Sequence, residues 1–600
     1  MKGEISVQTQ HIFPVIKRWL YSEKDIFLRE IVSNACDAIT KHKRLVSLAE
    51  TEGDGTPYRI DVIINKDEKT LTVSDNGIGM NESDVDKYIN KIALSGALDF
   101  IEKYEGKSES AGKGIIGHFG LGFYSAFMVS DTVELSTRSY DGSAPCHWSC
   151  DAEGSFESEK GDRENRGTDV VMHLSEDELA YLDTVKVRQI LDRYCEFMPH
   201  PIYLDKGDGS EPEQINDTEP LWQRERSEIT PEKCSEFYKK QFNDFNDPLF
   251  SVYINADYPL NFKGLLFFPR PRNGYENIEA QVKLFYNQVF VADNIKEVIP
   301  DCLVNIKGVI DCPELPLNVS RSYLQTNTYV SKVSSHIEKK FADRINGLFN
   351  TEREELEKFW DLAAPYIRFA CLKNEKFFDR IKDSMLFANT DGAHVTLKEY
   401  FGLSENDEQE LSGNVFYASS KDAQAYYIEL LNAKDKQVLL LENVIDIQFT
   451  SMLERKYKDL KFIRVDSDIS SALGSETCEA PDGLENSFRK AVGSDETKLS
   501  FSAFGADDAP AFLNISEESR RLAEMMSMYS ANSENAFPAE ETLVINTNSP
   551  MVRAMSELED EKREKAARHV YLLALLAAGK LTAEQTRELI DIDVSSYKQS

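Results

Sequence analysis

The sequence predicts a multidomain α+β and α/β protein: an N-terminal α/β sandwich, a mixed αβ middle part and a mainly helical C-terminal part. Three observations carry this. The chain has 600 residues, 41% of them hydrophobic, and at roughly 150 residues per domain that is three or four cores. Apolar residues recur with period 3.6 in some segments and period 2 in others. Composition breaks sharply at DKGDGSEPEQINDTEP, which is charged, rich in Gly and Pro and almost free of apolar side chains, the mark of a linker. The boundaries drawn from these features are 1–205, a linker at 206–219, 220–482 and 483–600.

In the first part, YSEKDIFLREIVSNACDAITKHKRL reads as an amphipathic helix. Leu28, Ile31, Val32, Ala35 and Ile39 form an apolar stripe, and Glu30, Asn34 and Asp37, at i, i+4 and i+7, form a polar one beside it. A carboxylate beside an amide can position water or metal near phosphate, although such a stripe alone is equally the solvated face of a helix. RIDVIIN and TLTVSD read as a hairpin joined by KDEK, and VELSTR and DVVMHL as further strands of a mostly antiparallel sheet with helices on one face. The second part adds strands at KGLLFFP and KLFYNQVFV, long helical patterns from Val330 to Lys382, and an αβ portion from VTLKEYF to KFIRVDSD. After SETCEAPDGLEN the pattern is mainly helical. It ends in two helices split by Gly579, the second opened by a capping box of Thr582 and Gln585.

Charge and cysteine usage narrow the function. With 103 acidic against 69 basic residues the net charge is −34, which opposes nucleic acid and anionic membranes. The N-terminus has no cleavable apolar run, and Val570 to Ala578 is far too short to span a bilayer, so a soluble cytoplasmic protein is expected. Nine cysteines are scattered. The close pair Cys146 and Cys150 lacks a second cluster to complete a zinc site, so free thiols are expected.

Two further motifs carry chemistry. In SDNGIGM, Asp75 stands at a strand end, where its carboxylate can accept a hydrogen bond from an exocyclic amine, and Gly77 and Gly79 let the backbone approach a flat ligand. An ordinary Asn-Gly turn is the alternative. In GKGIIGHFGLGFYSAFMV, glycines 112, 114, 117, 120 and 122 lead into an apolar helix, whose preceding amides can hold phosphate. The GxGxxG match within it lacks the preceding strand of a dinucleotide fold. Gly106, Lys107 and Ser108 end like a Walker A loop, but position 101 is Ile rather than Gly.

The order of these blocks, followed by Gly167 and Thr168 opening a strand, resembles the Bergerat ATP-binding fold of type II topoisomerases, mismatch-repair MutL proteins, sensor histidine kinases and the 90-kDa heat-shock chaperones. The wording YSEKDIFLRE, SNACDA, DNGIGM and GHFGLGFYSAF resembles the chaperones in particular. Leu221 and Trp222, DPLF, LFFPR, VKLFYNQVFVAD and LPLNVSRSYLQTN extend the resemblance over nearly the whole chain.

The resemblance implies a homodimeric, ATP-dependent chaperone of the bacterial HtpG type that acts on non-native client proteins, with ATP and Mg²⁺ as ligands. It implies that Glu30 orients or deprotonates the attacking water, with Arg321 and Gln325 from the middle domain completing catalysis. Asn34 is implied as the Mg²⁺ ligand and Asp75 with Thr168 as the adenine contacts. Asp37, Gly79, Met80, Gly117, Phe119, Gly120, Gly122 and Phe123 are implied to form the pocket and its lid. Trp222, Leu522, Met525, Met526 and Tyr529 are implied as client contacts, and the terminal helices as the dimer interface. Other chaperones are possible partners. Resemblance to the bacterial type implies no docking of tetratricopeptide co-chaperones through an acidic MEEVD tail. In Tyr88 to Gly96, YINKIALSG, the residues Asn90, Lys91 and Leu94 stand where the family has glycine, threonine and lysine, which puts the lid hinge and one phosphate contact in question.

Overall fold

The computed structural model describes residues 23–92, 94–104, 114–117, 120–271, 280–293, 298–315, 328–404, 409–467, 473, 476–494, 497–505, 509–517, 519–522 and 540–597. They form two compact units that divide after Phe341.

The first unit begins with helix α1 (Ile26–Ser47), whose apolar stripe is buried, Leu28, Val32 and Ile39 completely. Against it lies an eight-stranded sheet of order β5-β4-β3-β6-β2-β1-β7-β8. Its members are β1 (Ile60–Asn65), β2 (Thr70–Asp75), β3 (Ser130–Arg138), β4 (Cys146–Asp151), β5 (Phe156–Lys160), β6 (Gly167–Leu174), β7 (Ile202–Asp205) and β8 (Glu213–Gln214). The expected hairpin is present, with β1 antiparallel to β2 and Ile60 opposite Asp75. Among the described residues of this sheet only β1 and β7 pair in parallel. Between β2 and β3 run helices α2 (Glu82–Tyr88) and α3 (Gly96–Tyr104) and a 3₁₀ helix, Gly122–Met128. Asn81 and Asp84 cap α2 reciprocally, which stops the chain from continuing β2 as extended strand. Helix α4 (Thr184–Tyr194) returns the chain to β7.

Residues 206–219 are more than a connection. Glu213 and Gln214 pair with β7 as an edge strand, and the core continues past them. Trp222, Phe237 on α5 (Pro231–Phe242), Phe285 and Phe290 pack into the same hydrophobic cluster as α1. Phe285 and Phe290 belong to a five-stranded sheet of order β12-β11-β13-β10-β9. Its strands are β9 (Phe250–Ala256), β10 (Phe262–Phe268), β11 (Gln281–Tyr286), β12 (Val289–Asp293) and β13 (Lys307–Asp311). Composition marks this stretch as a linker because its surface is charged; the buried indole at its end anchors it.

Helix α6 (Thr328–Thr351) runs past the division between the units. The second unit continues with α7 (Arg353–Lys373), α8 (Glu375–Ile381), a short ribbon of β14 (Phe387–Ala388) and β15 (His394–Val395), and α9 (Leu397–Tyr400). A three-stranded parallel sheet follows, with β16 (Gly413–Ala418) between β17 (Val438–Leu440) and β18 (Leu460–Arg464), connected through α10 (Ala425–Asn432) and α11 (Val444–Lys456). Beyond α12 (Leu484–Val492) come α13 (Pro550–Met555), α14 (Asp560–Ala577) and α15 (Ala583–Tyr597). These helices are joined by a four-stranded sheet, β19-β20-β22-β21, of β19 (Glu476–Thr477), β20 (Lys498–Ala503), β21 (Ala511–Ile515) and β22 (Glu541–Asn546). Periodicity did not separate these strands from their helical surroundings because they are short and far apart in sequence. The capping box of the last helix is present: Thr582 N–H donates to Gln585 Oε1 at 3.0 Å and Gln585 N–H to Thr582 Oγ1 at 3.2 Å. All nine cysteines are free thiols.

Candidate functional site

Between α1, the sheet and the segments that follow β2 lies a cavity of about 450 Å³. Glu30, Asn34 and Asp37 all line it, Glu30 and Asp37 buried and Asn34 exposed, so the polar stripe faces the cavity rather than the core. Asp37 lies seven positions after Glu30 on the helix, about 10 Å along the axis at 1.5 Å per residue, so the stripe spans much of the cavity floor.

One end is built by strand register. Asp75 on β2 lies opposite Thr168 on β6, and Thr168 lies opposite Thr137 on β3, so three polar side chains stand in a row across three strands. Thr137 and Thr168 share a hydrogen bond of 2.9 Å between their hydroxyls, and Met80 N–H donates to Thr137 Oγ1 at 2.9 Å. Asp75 Oδ1 accepts Gly77 N–H at 2.7 Å, leaving the second carboxylate oxygen as acceptor. Burial pushes its pKa up to about 7, against the lowering effects of the Gly77 bond and of Arg163 and Arg166. Those arginines brace the turn: Arg163 donates to Asp75 O at 3.0 Å and Arg166 to Gly77 O at 3.2 Å. Gly79, at φ +62°, leaves no room for a side chain, since a Cβ would stand 1.8 Å from Arg138 O. The turn after β2 is therefore pressed onto the β3 backbone, with Met80 beside it on the cavity wall.

The other end carries Glu30, buried, its Oε1 accepting Arg29 Nη2 at 2.7 Å and Nε at 3.1 Å. A Cβ on Gly122 would come within 2.8 Å of Glu30 Oε2, so glycine at 122 lets the backbone lie against the carboxylate. Gly117, Gly120 and Phe123 also line this wall.

Asp37, whose task the sequence leaves undefined, accepts the N–H groups of Ile116 and Gly117, each at 2.7 Å. Two amides that the sequence offers to phosphate are thus taken by a carboxylate from α1. The expected apolar helix after the glycines is the 3₁₀ turn Gly122–Met128. Among the departures, Asn90 accepts Trp148 Nε1 at 2.9 Å, Lys91 pairs with Asp86 at 3.3 Å, and Leu94 lines the cavity, 42% exposed.

Trp222 is overturned as a client contact. It is fully buried, with ring centroids 4.7 Å from Phe197 and 5.1 Å from Phe285 and its Nε1 donating to Asp311 at 3.3 Å. An indole packed on all sides offers no surface to a partner. Leu522 is half exposed. Arg321, Gln325, Phe119, Met525, Met526 and Tyr529 lie outside the described residues.

Sequence reasoning missed Thr137, because nothing local says which strand VELSTR pairs with. It also missed Lys41, which lines the cavity; burial pushes its pKa down, opposed by the carboxylates of Asp37, Asp84 and Asp99. Its position one turn beyond Asp37 on the same helical stripe is the available signal.

Comparison with known proteins agrees with this geometry. The profile "Histidine kinase-, DNA gyrase B-, and HSP90-like ATPase" matches residues 23–178, and the profile "Hsp90 protein" matches 206–590. Relatives named "Chaperone protein HtpG" include one from Bacteroides fragilis, 38% identical over 94% of this chain and 86% of its own length. Another, from Bacteroides thetaiotaomicron, is 37% identical over 98% and 88%, and a third, from Porphyromonas gingivalis, 38% over 94% and 85%. Among the described residues no helix is long and apolar enough to cross a membrane. The chain belongs to the Hsp90 family of ATP-dependent chaperones.

Proposed function

We propose that the chain works as a homodimeric clamp that binds Mg²⁺-ATP in the α1 cavity, hydrolyses it slowly, and uses the cycle to remodel non-native proteins in the cytoplasm. The observation that carries this reading is the polarity of the cavity. An amine-reading carboxylate, Asp75 beside Thr168, stands at one end, and a buried, arginine-held carboxylate, Glu30, at the other. That arrangement fits a ligand with a flat hydrogen-bonding head and a reactive polyphosphate tail. Asn34 offers a side-chain oxygen that would hold magnesium together with the ATP phosphates. Magnesium, when bound, neutralises phosphate charge.

The chain's own groups then divide the work. Asp75 accepts the exocyclic amine, and Thr168, held by Thr137, fixes the base. Glu30 accepts a proton from the attacking water, its carboxylate oriented by Arg29 and given room by Gly122. Arg321 and Gln325 complete the charge stabilisation, and positioning of this kind accounts for most of phosphoryl-transfer catalysis.

The dimer reading is supported by exposed apolar side chains on the two last helices: Leu576 (53% exposed), Ile590 (56%) and Val594 (47%). Leu522 and the methionines after it are the proposed client surface, and other chaperones are proposed partners. The net charge of −34 argues against nucleic acid and anionic membranes. ATP turnover measured with and without an unfolded protein tests the whole reading. Turnover that responds to the unfolded protein is expected; its absence in the wild type overturns the assignment. Leu576→Lys combined with Ile590→Lys is expected to sediment as monomer, and a persisting dimer moves the interface elsewhere.

A further inference from the structure

We propose that Asn287, at the tip of the β11–β12 hairpin, is a positioning residue for ATP turnover that ties the five-stranded sheet to the glycine-rich wall of the cavity. The inference rests on the ATPase reading above. The Asn287 side-chain amide donates to Ile115 O at 3.2 Å. The next two amides, Ile116 and Gly117, donate to Asp37 in the cavity floor at 2.7 Å each. Residues 115–117 are therefore held from two sides, by α1 and by the hairpin.

The tip is itself anchored. Asn287 and Gln288 adopt φ of +48° and +65°, the left-handed pair that a two-residue hairpin turn requires. Gln288 N–H donates to Asp311 Oδ2 at 3.1 Å, and that carboxylate oxygen also accepts Trp222 Nε1 and Gln223 Nε2. Contacts thus run without a gap from Asp37 through the glycine-rich wall and the hairpin to the connection between the sheets. A shift of that wall, where Gly117 faces Asp37 and Asn34 and Gly122 faces Glu30, pulls on the second sheet, and the reverse holds equally.

The alternative is that Asn287 merely suits the turn. Asn, Asp and Gly all tolerate a left-handed conformation, so N287G and N287D keep the hairpin while changing the contact. Glycine deletes the donor, and aspartate sets a carboxylate against the Ile115 carbonyl. Steady-state ATP turnover and amide hydrogen exchange of residues 114–117 are measured on the full-length protein. With KM and thermal midpoint unchanged, kcat is expected to fall about three- to tenfold in N287G, the worth of one net hydrogen bond, and further in N287D, with faster exchange at 116 and 117 in both. Equal kcat and equal exchange in all three proteins, or a fall in kcat that tracks a fall in thermal midpoint, overturns the proposal. No turnover in the wild type refutes the ATPase reading, whereas wild-type turnover that both variants match refutes Asn287 alone.

Discussion

Buried charge appears in both units, and its surroundings differ. In the second unit Arg368 and Asp446, with side chains 4% and 3% exposed, pair with each other, and Asp446 also caps α11 by accepting Asn443 N–H at 2.9 Å. Arg521 bridges Glu454 at 2.6 Å and Glu517 at 2.8 Å. Burial pushes Glu517 up, but Arg520 and Arg521 outweigh it and leave the carboxyl below its ordinary range. In the first unit Asp75 has arginines nearby, yet they bond backbone carbonyls and pair with Asp169 and Asp54, and burial holds its pKa near 7. The lesson is that burial alone does not mark function. The Arg368–Asp446 pair also carries a helix cap and is structural, whereas Asp75, and Glu30 with its partner Arg29, line the α1 cavity and are available to a ligand.

The comparison can be broken at several points. Glu30→Gln keeps a partner for Arg29 but removes the proton acceptor. It is expected to lower kcat about a hundred- to ten-thousandfold with ATP affinity retained; turnover equal to wild type removes Glu30 from the mechanism. Arg368→Ala in the second unit strands Asp446 and is expected to cost about 3–5 kcal/mol in denaturant unfolding, with ATP affinity untouched. A neutral result there means the pair is not structural.

Asp75→Asn is expected to act in opposite directions on binding and stability. ATP affinity, measured by calorimetry, falls about ten- to 150-fold with loss of a charged acceptor worth roughly 1.5–3 kcal/mol. Stability rises at neutral pH. Between roughly pH 4 and pH 7 the unfolded chain has released a proton that folded Asp75 still holds, so the wild-type side chain increasingly opposes folding as pH rises through that window. The stabilising effect of Asn is therefore expected at pH 8 and absent below pH 4. For the same reason wild-type ATP affinity is expected to fall as pH drops below about 7, approaching tenfold per pH unit for one coupled proton. A flat profile means Asp75 binds the base while protonated. The smallest effect belongs to Thr137→Val, which removes one bond to Thr168; affinity is expected to fall about three- to tenfold, and an unchanged value leaves Thr168 fixed by register alone.

Much of this site is legible in the sequence because its parts are local. Glu30, Asn34 and Asp37 share a helix face through spacing, and Asp75 precedes Gly77 and Gly79 in one short turn. Thr137 is not legible, since its place beside Thr168 depends on how β3 and β6 align. The burial of Trp222 is not legible for a related reason: the rings of Phe197, Phe237 and Phe285 that surround it come from distant parts of the chain.

Short-range periodicity suffices to place the helix stripe, and the wording and order of the motif blocks carry the resemblance to the family, because each block is made of residues within a few positions of one another. Partners distant in the chain had to be seen in three dimensions. Asp37 lines the cavity and also holds residues 116 and 117, some 80 positions away, which its spacing on the helix does not reveal. The core that joins the two sheets crosses a segment whose composition reads as a break. Both depend on packing and register, which arise when remote segments bury apolar surface together and which no local pattern encodes.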